Sequence, residues 1–334
     1  MRAPEFWHEP PGLIAGLLAP FGMAFDAASR LRRAIVRPYR APVPVICVGN
    51  LVAGGSGKTP IVMSLAGALA VRGVVVHVVS RGYGGRLSGP IQVDPAVHDA
   101  AQVGDEPLLI AAHAPCWVSR DRAAGVRTAV EAGAEAILLD DGFQNPSVAK
   151  DLTFIAVDSG YGFGNGQVIP AGPLREQVSA GLTRANAIVA IGGQEEAHGL
   201  AGAPCPILNA ELRAVAGERF AGERIVAFAG IGRPEKFFAS LRELGAKVAG
   251  EQQFPDHHPF RESDLVRLRD MADREHARLV TTAKDWVRLP PSLRGGIEVL
   301  EVEVRWRDPS ALERLLWDCL ARRHDGSDLS AARG

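Results

Sequence analysis

Short apolar runs alternate with longer, mixed stretches through most of the chain. "VPVICV" (43–48), "VVVHVVS" (74–80), "LTFIAVD" (152–158) and "AIVAIGG" (187–193) are rich in β-branched residues and too short for helices. "APCWVSRD" (114–121) and "AEAILLDDG" (134–142) follow the same pattern. Continuous apolarity, as opposed to strict alternation, is what a strand covered on both faces requires. Helical stretches separate these runs. "TPIVMSLAGALAVRG" (59–73) carries Pro60 in its first turn, where the missing N–H costs nothing. The repetition predicts an α/β fold: a mostly parallel sheet flanked by helices.

The pattern weakens across residues 194–222 and then restarts. "RIVAFAGIG" reads as a strand, "RPEKFFASLRELG" as a helix and "AKVAGEQQF" as a strand and loop. "RESDLVRLRDMADREH" is an amphipathic helix and "ARLVTTAKD" a third strand, giving a second, smaller α/β domain. The expected division is residues 1–40 as an N-terminal segment, 41–205 as the core and 206–334 as the smaller domain. The polar tail "RRHDGSDLSAARG" is expected to fray.

The N-terminal segment has its own character. "PGLIAGLLAPFGMAFDAAS" (11–29) is apolar but interrupted by Pro20 and Asp26, which makes it too short to span a bilayer. Glu5, His8 and Glu9 precede it, unlike the basic start of a signal peptide. Arg30, Arg32, Arg33, Arg37 and Arg40 follow. Apolar residues beside clustered arginines suit a helix lying in a membrane interface among anionic headgroups. A helix packed on the domain with its arginines in water fits the same residues.

Composition narrows the class. With 334 residues, 47% apolar and 22% charged, the chain is globular and long enough for two domains. A net charge of −1 gives no support to a nucleic-acid partner. Cys47, Cys116, Cys205 and Cys319 are far apart, with no zinc or disulfide spacing, as expected in a reducing compartment.

Candidate chemistry starts at "GNLVAGGSGKTP" (49–60), a strand–turn–helix junction of phosphate-loop type. Gly54, Gly55, Ser56 and Gly57 would turn backbone N–H groups toward phosphate oxygens at a helix N-terminus. Lys58 would reach the β- and γ-phosphates of ATP, Thr59 would ligate Mg²⁺, and Pro60 completes the junction. Val52 stands where the usual pattern has its first glycine, so the turn must be entered differently. Asp140 and Asp141 end an apolar strand, the place for a second Mg²⁺ partner, although Asp141 before Gly142 also suits a turn cap.

A phosphoryl transferase also needs a proton acceptor and cations. "SRGYGG" (80–85) offers Arg81, and "SRDR" (119–122) two arginines. "VGDEP" (103–107) places Asp105 and Glu106 in a turn before a helix. "FPDHHPF" (254–260) is no core pattern and fits either a metal site or a histidine that tunes a carboxylate. "TTAKDW" (281–286) fits a base- or ribose-facing loop or a plain surface turn.

Taken in order, "VGNLVAGGSGKTP", "SRGYGG", "VGDEP", "LLDDGFQN", "IPAGPLRE", "FPDHHPF" and "TTAKDWVRL" resemble the tetraacyldisaccharide 4′-kinase family, from about Pro4 to about Leu320. The resemblance implies a kinase that uses ATP and Mg²⁺ to phosphorylate the 4′-hydroxyl of a tetraacylated glucosamine disaccharide 1-phosphate, giving lipid IVA. It implies peripheral attachment at the cytoplasmic face of the bacterial inner membrane, with membrane lipids meeting the N-terminal segment and the smaller domain closing over the nucleotide cleft. By motif, Lys58 and Thr59 hold phosphate and Mg²⁺, with Lys58 acting in catalysis, and Asp140 and Asp141 are the Walker B carboxylates. Asp105 is then the catalytic base, Glu106 a metal or ordering partner, and His257 the residue that tunes Asp105. Arg81, Tyr83, Arg122, Gln144 and Arg175 fall in motifs associated with substrate or phosphate.

Three other classes compete. A GTPase would carry N-K-x-D, which is absent. A membrane-partitioning ATPase, a spatial organiser without a sugar-lipid acceptor, would carry a lysine where Ala53 stands. A soluble small-molecule kinase or ligase would not need the N-terminal segment.

Overall fold

The computed structural model describes residues 4–54, 57–192, 200 and 202–324. Its strands are β1 (Val45–Gly49), β2 (Val76–Ser80), β3 (Ile91–Gln92), β4 (Cys116–Val118), β5 (Ala136–Asp140), β6 (Leu152–Asp158), β7 (Ala187–Ile191), β8 (Ile207–Ala214), β9 (Arg224–Ala229), β10 (Lys247–Gln253), β11 (Arg278–Thr282), β12 (Ile297–Leu300) and β13 (Val302–Trp306). The helices are α1 (Leu13–Ile35), α2 (Lys58–Val71), α3 (Ala100–Val103), α4 (Asp105–Ala111), α5 (Arg122–Glu131), α6 (Val178–Leu182), α7 (Pro234–Glu243), α8 (Glu262–Arg274), α9 (Ala283–Trp286) and α10 (Pro309–His324).

Nine strands form the large sheet, in the order β13-β8-β7-β6-β1-β5-β2-β4-β3. The seven inner strands are parallel, and β13 and β3 close the two edges antiparallel. Every residue of β1, β2, β5 and β7 is buried, as their largely apolar sequences predict. Successive side chains serve opposite faces. Ile46 and Val48 pack with Ile61, Leu65 and Leu69 of α2 and Leu312 and Leu316 of α10. Val45 and Cys47 pack on the other side with Val126 and Ala129 of α5 and Leu182 of α6. Because β1 lies between β5 and β6, the connections diverge there, and a crevice opens beyond the strands' carboxyl ends.

Four parallel strands, β10-β9-β11-β12, make the small sheet. Phe237, Phe238 and Leu241 of α7 cover one face, and Phe260, Leu265 and Leu268 the other. This sheet and its helices, the small lobe, use a shorter stretch than residues 206–334. β8 joins the large sheet before the chain crosses over, and the returning β13 pairs with β8. The sequence "ILNAELRA" hid β8 because that strand is only half buried. At the end of the chain α10 runs to His324, and residues 325–334, most of the tail expected to fray, lie outside the described residues.

α1 runs unbroken through Pro20. Its inner side is small or polar, with Ala15, Gly22 and Asp26 buried. A side chain at Gly22 would strike the Val168 carbonyl at 2.6 Å, so this glycine permits the helix to dock. The opposite side leaves Leu13, Leu17, Phe21 and Phe25 exposed in an i, i+4 row. Among the described residues, no helix is long and apolar enough to cross a membrane.

Candidate active site

The loop after β1 answers the question raised by Val52. Residues 51–53 leave the strand and pair with the segment around Leu174. Val52 bridges Leu174, the Ala53 N–H reaches the Pro173 carbonyl at 2.8 Å, and the Arg175 N–H reaches the Leu51 carbonyl at 2.7 Å. Asn50, fully buried, donates its side-chain amide to the carbonyls of Val52 (2.6 Å) and Gly54 (3.3 Å). A short ladder and an amide brace thus hold the turn where a glycine usually does. Gly57 ends the loop at φ +73°, a left-handed conformation that demands glycine. Lys58, Thr59 and Pro60 open α2, with Lys58 buried. Gly55 and Ser56 lie outside the described residues.

Asp140 and Asp141 stand beside this loop in different environments. Asp140 is buried at the end of β5. Its Oδ2 accepts from the Ser80 hydroxyl at 2.9 Å, while Oδ1 is buried with no hydrogen-bond partner among the described residues. Burial, then the charges of Glu106 and Asp141, push its carboxyl up to about 7. Asp141 has φ +49°, which turns its carboxylate toward Arg175 Nη1 (2.9 and 3.0 Å) and Lys58 Nζ (3.8 Å). Burial raises the Asp141 carboxyl, but Lys58 and Arg175 outweigh it and leave the group below the usual range.

The start of α4 lies close to Asp140, whose carboxyl feels the Glu106 charge. Asp105 and Glu106 are the first two residues of this helix, not a turn before it, and Gly104 at φ +90° is the cap. Asp105 is 4% exposed and its Oδ1 accepts the Glu106 N–H at 2.9 Å. Its Oδ2 lies 3.0 Å from His257 Nδ1 and 2.7 Å from Arg288 Nε. Burial pushes this carboxyl up, yet the His257 hydrogen bond and the Lys284 and Arg288 charges hold it far below the usual carboxylate range. Glu106 pairs with Lys284 at 3.1 Å.

His257, Lys284 and Arg288 all come from the small lobe, so this cluster joins the two sheets across 152 to 183 residues of sequence. His257 reaches it with φ +59°, its N–H held by the Gly230 carbonyl at 3.1 Å. The two adjacent histidines part company here. His258 stacks on Phe254 and places Nε2 3.0 Å from Asp264, which puts it in the packing at the start of α8 and not in a metal site. Asp285 is fully buried, accepting from the Gly230 N–H and the Thr282 hydroxyl, so "TTAKDW" is not a surface turn but the end of β11 and the start of α9, with Lys284 reaching Glu106.

Of the other expected residues, Arg81 and Tyr83 are exposed, with the Tyr83 ring 5.6 Å from His257. Arg122 is buried and donates to the Ser119 carbonyl at 2.5 Å. Gln144 donates to the Asn50 carbonyl (2.9 Å) and to Glu176 (3.2 Å) and receives Arg175 at 3.4 Å. Gln144 and Arg175 therefore brace Asp141 and the loop, while Arg122 faces Asp140 and Asp141 through its charge. Glu176, Asn50, Ser80 and Arg288 were missed from sequence. Glu176 is fully buried, with Arg184 and Arg33 of α1 as ion partners, which ties α1 to the loop beneath Asp141. The signal available was adjacency: Asn50 precedes the loop, Glu176 follows Arg175, and Ser80 precedes Arg81.

The orphaned Asp140 Oδ1 is an observation in favour of a cation. A buried carboxylate oxygen facing other carboxylates is costly unless a positive charge joins it. No group of three or more His, Cys, Asp or Glu is suited to hold a metal among the described residues. A phosphate-bound Mg²⁺ needs fewer protein ligands, because phosphate oxygens and water supply the rest.

The tetraacyldisaccharide-1-P 4′-kinase family profile matches residues 14–321. The tetraacyldisaccharide 4′-kinase of Rhodospirillum centenum is 53% identical over 97% of this chain and 98% of that protein. That of Rhodospirillum rubrum is 52% identical over 95% of this chain and 97% of its own. The solved structure of LpxK from Aquifex aeolicus in complex with ATP superposes with a TM-score of 0.74 at 26% identity, covering 92% of this chain and 100% of that one.

Proposed function

Since the chain belongs to the tetraacyldisaccharide-1-P 4′-kinase family, it is an ATP-dependent kinase of lipid A biosynthesis, and we propose that the crevice between its two sheets carries the transfer. The reaction moves the γ-phosphate of ATP to the 4′-hydroxyl of tetraacyldisaccharide 1-phosphate. The relatives favour this over a spatial-organiser ATPase.

In this reading the loop before α2 and Lys58 cradle the phosphates. Thr59 and Asp140 would hold Mg²⁺, with Asp141 and Glu106 ordered around it by Lys58, Arg175 and Lys284. The ion, when bound, offsets charge on the β- and γ-phosphates. Asp105 receives the proton of the acceptor hydroxyl, and His257 fixes the carboxylate. A weak base suffices: in a loose phosphoryl-transfer transition state the hydroxyl becomes acidic only as its bond to phosphorus forms. The single observation that carries this assignment is the meeting of Asp105 and His257, 3.0 Å apart, from opposite sheets. It suits a small lobe that assembles the site on closure and so guards ATP from water.

Arg81 and Tyr83, exposed at the mouth, are the candidates for an anionic acceptor headgroup, while Arg122, Gln144 and Arg175 act from within. The apolar row on α1 would lie in the bilayer interface, giving peripheral attachment at the cytoplasmic face of the inner membrane. The test is incubation with Mg²⁺ and γ-labelled ATP, with and without tetraacyldisaccharide 1-phosphate in mixed micelles. Label in the lipid fraction is expected. ATP hydrolysis without lipid labelling refutes the acceptor.

A further inference from the structure

We propose that Arg288 is a positioning residue that clamps the Asp105 carboxylate from the small lobe, an inference that rests on Asp105 being the proton acceptor. The Arg288 side chain is 5% exposed and lies just beyond α9. Its guanidinium is anchored before it reaches Asp105. Nη1 donates to the Gly230 carbonyl at 2.6 Å and to Asp285 Oδ1 at 3.0 Å. Asp285 is itself fixed by the Gly230 N–H at 3.1 Å and the Thr282 hydroxyl at 2.7 Å. The ends of β9 and β11 therefore set the plane of the guanidinium.

The other edge of that plane meets Asp105. Nε donates to Oδ2 at 2.7 Å, and Nη2 reaches the same oxygen. On its own helix Asp105 has one tether, the Glu106 N–H on Oδ1. A single tether leaves the carboxylate free to turn about it. Arg288 and His257 converge on Oδ2 and remove that freedom. The geometry needs arginine, since a planar fork spans three acceptors at fixed angles and an ammonium on a flexible stem does not. A bland role is available, in which Arg288 only neutralises buried Asp285 and helps hold the lobes together. The two roles differ in whether lysine suffices.

The experiment compares Arg288→Lys, the double variant Arg288→Gln/Asp285→Asn, and Asp105→Asn in the full-length protein. For each, kcat and both KM values are measured in mixed micelles, with nucleotide binding and thermal melting as controls. Arg288→Lys keeps the charge, and it is expected to bind ATP within about twofold of the parent while kcat falls about 100-fold, the scale of a small misplacement of a reacting group. The double variant removes the charges of Arg288 and Asp285 at nearly constant volume. It is expected to lose kcat similarly, which separates the loss from an unpaired Asp285 and serves if the single variant folds poorly. A kcat loss below about tenfold in Arg288→Lys, with Asp105→Asn inactive, overturns the clamp and leaves the base assignment standing. Near-normal turnover in Asp105→Asn overturns the base assignment and the clamp with it.

Discussion

Replacing Asn50 by alanine tests how a phosphate loop works without its usual first glycine. The side-chain amide makes two donated bonds inside the loop, to the carbonyls of Val52 and Gly54. Each is worth about 1 kcal/mol net, so about 2 kcal/mol of local order depends on one residue. If the freed loop explores other shapes, ATP must first select the competent one, and apparent affinity drops by the lost fraction. At about 1.4 kcal/mol per tenfold, the expected ceiling is about 30-fold weaker binding. Asn50→Asp should be worse than alanine, because it points a carboxylate at carbonyls 2.6 and 3.3 Å away. The assay is equilibrium titration with a fluorescent ATP analogue, with thermal melting as a control. ATP affinity within twofold of the parent for Asn50→Ala, or Asp no worse than Ala, would refute the brace.

Two further outcomes are expected. Asp158, at the end of β6, joins the lobes through Arg233 (2.7 Å) and Lys236 (2.6 Å). Burial raises its carboxyl, but Lys236 and Arg233 outweigh it and lower the folded value. The bridge therefore stabilises above the unfolded value of about 4 and is lost as pH falls through the depressed folded one. Asp158→Asn should cost about 1 kcal/mol at pH 7, and the gap in melting temperature from the parent should close below about pH 4; a gap that persists at pH 2 would contradict this. On α1, Leu17 and Phe21 are 76% and 65% exposed, so glutamate at both should leave melting unchanged. Losing two apolar anchors of roughly 1.5 kcal/mol each should cut sedimentation with anionic vesicles by about 100-fold. Undiminished binding would mean the row is not a membrane face.

The sequence by itself determined the parts whose causes are local. Apolar runs such as "AILLD" and "LTFIAVD" are buried strands in any compact arrangement, and glycines before Lys58 on a helix start make a phosphate loop wherever the chain runs. Asp140 stood out as a carboxylate at the end of an apolar strand, whereas the roles of Asp105 and His257 were implied by the resemblance of their motifs to a kinase family. Tertiary structure decided how they are held. Which histidine of the pair faces Asp105 depends on a left-handed backbone at His257, while its neighbour enters an aromatic stack. Arg288 meets Asp105 across 183 residues, and Arg33 reaches Glu176 from a helix at the far end of the chain. β8 and β13 pair over a whole intervening sheet. Such contacts leave no periodic trace in sequence, because an arginine bound for a buried carboxylate looks the same there as one bound for water. Their energy comes from removing both partners from solvent together, and only the folded chain determines which partners those are.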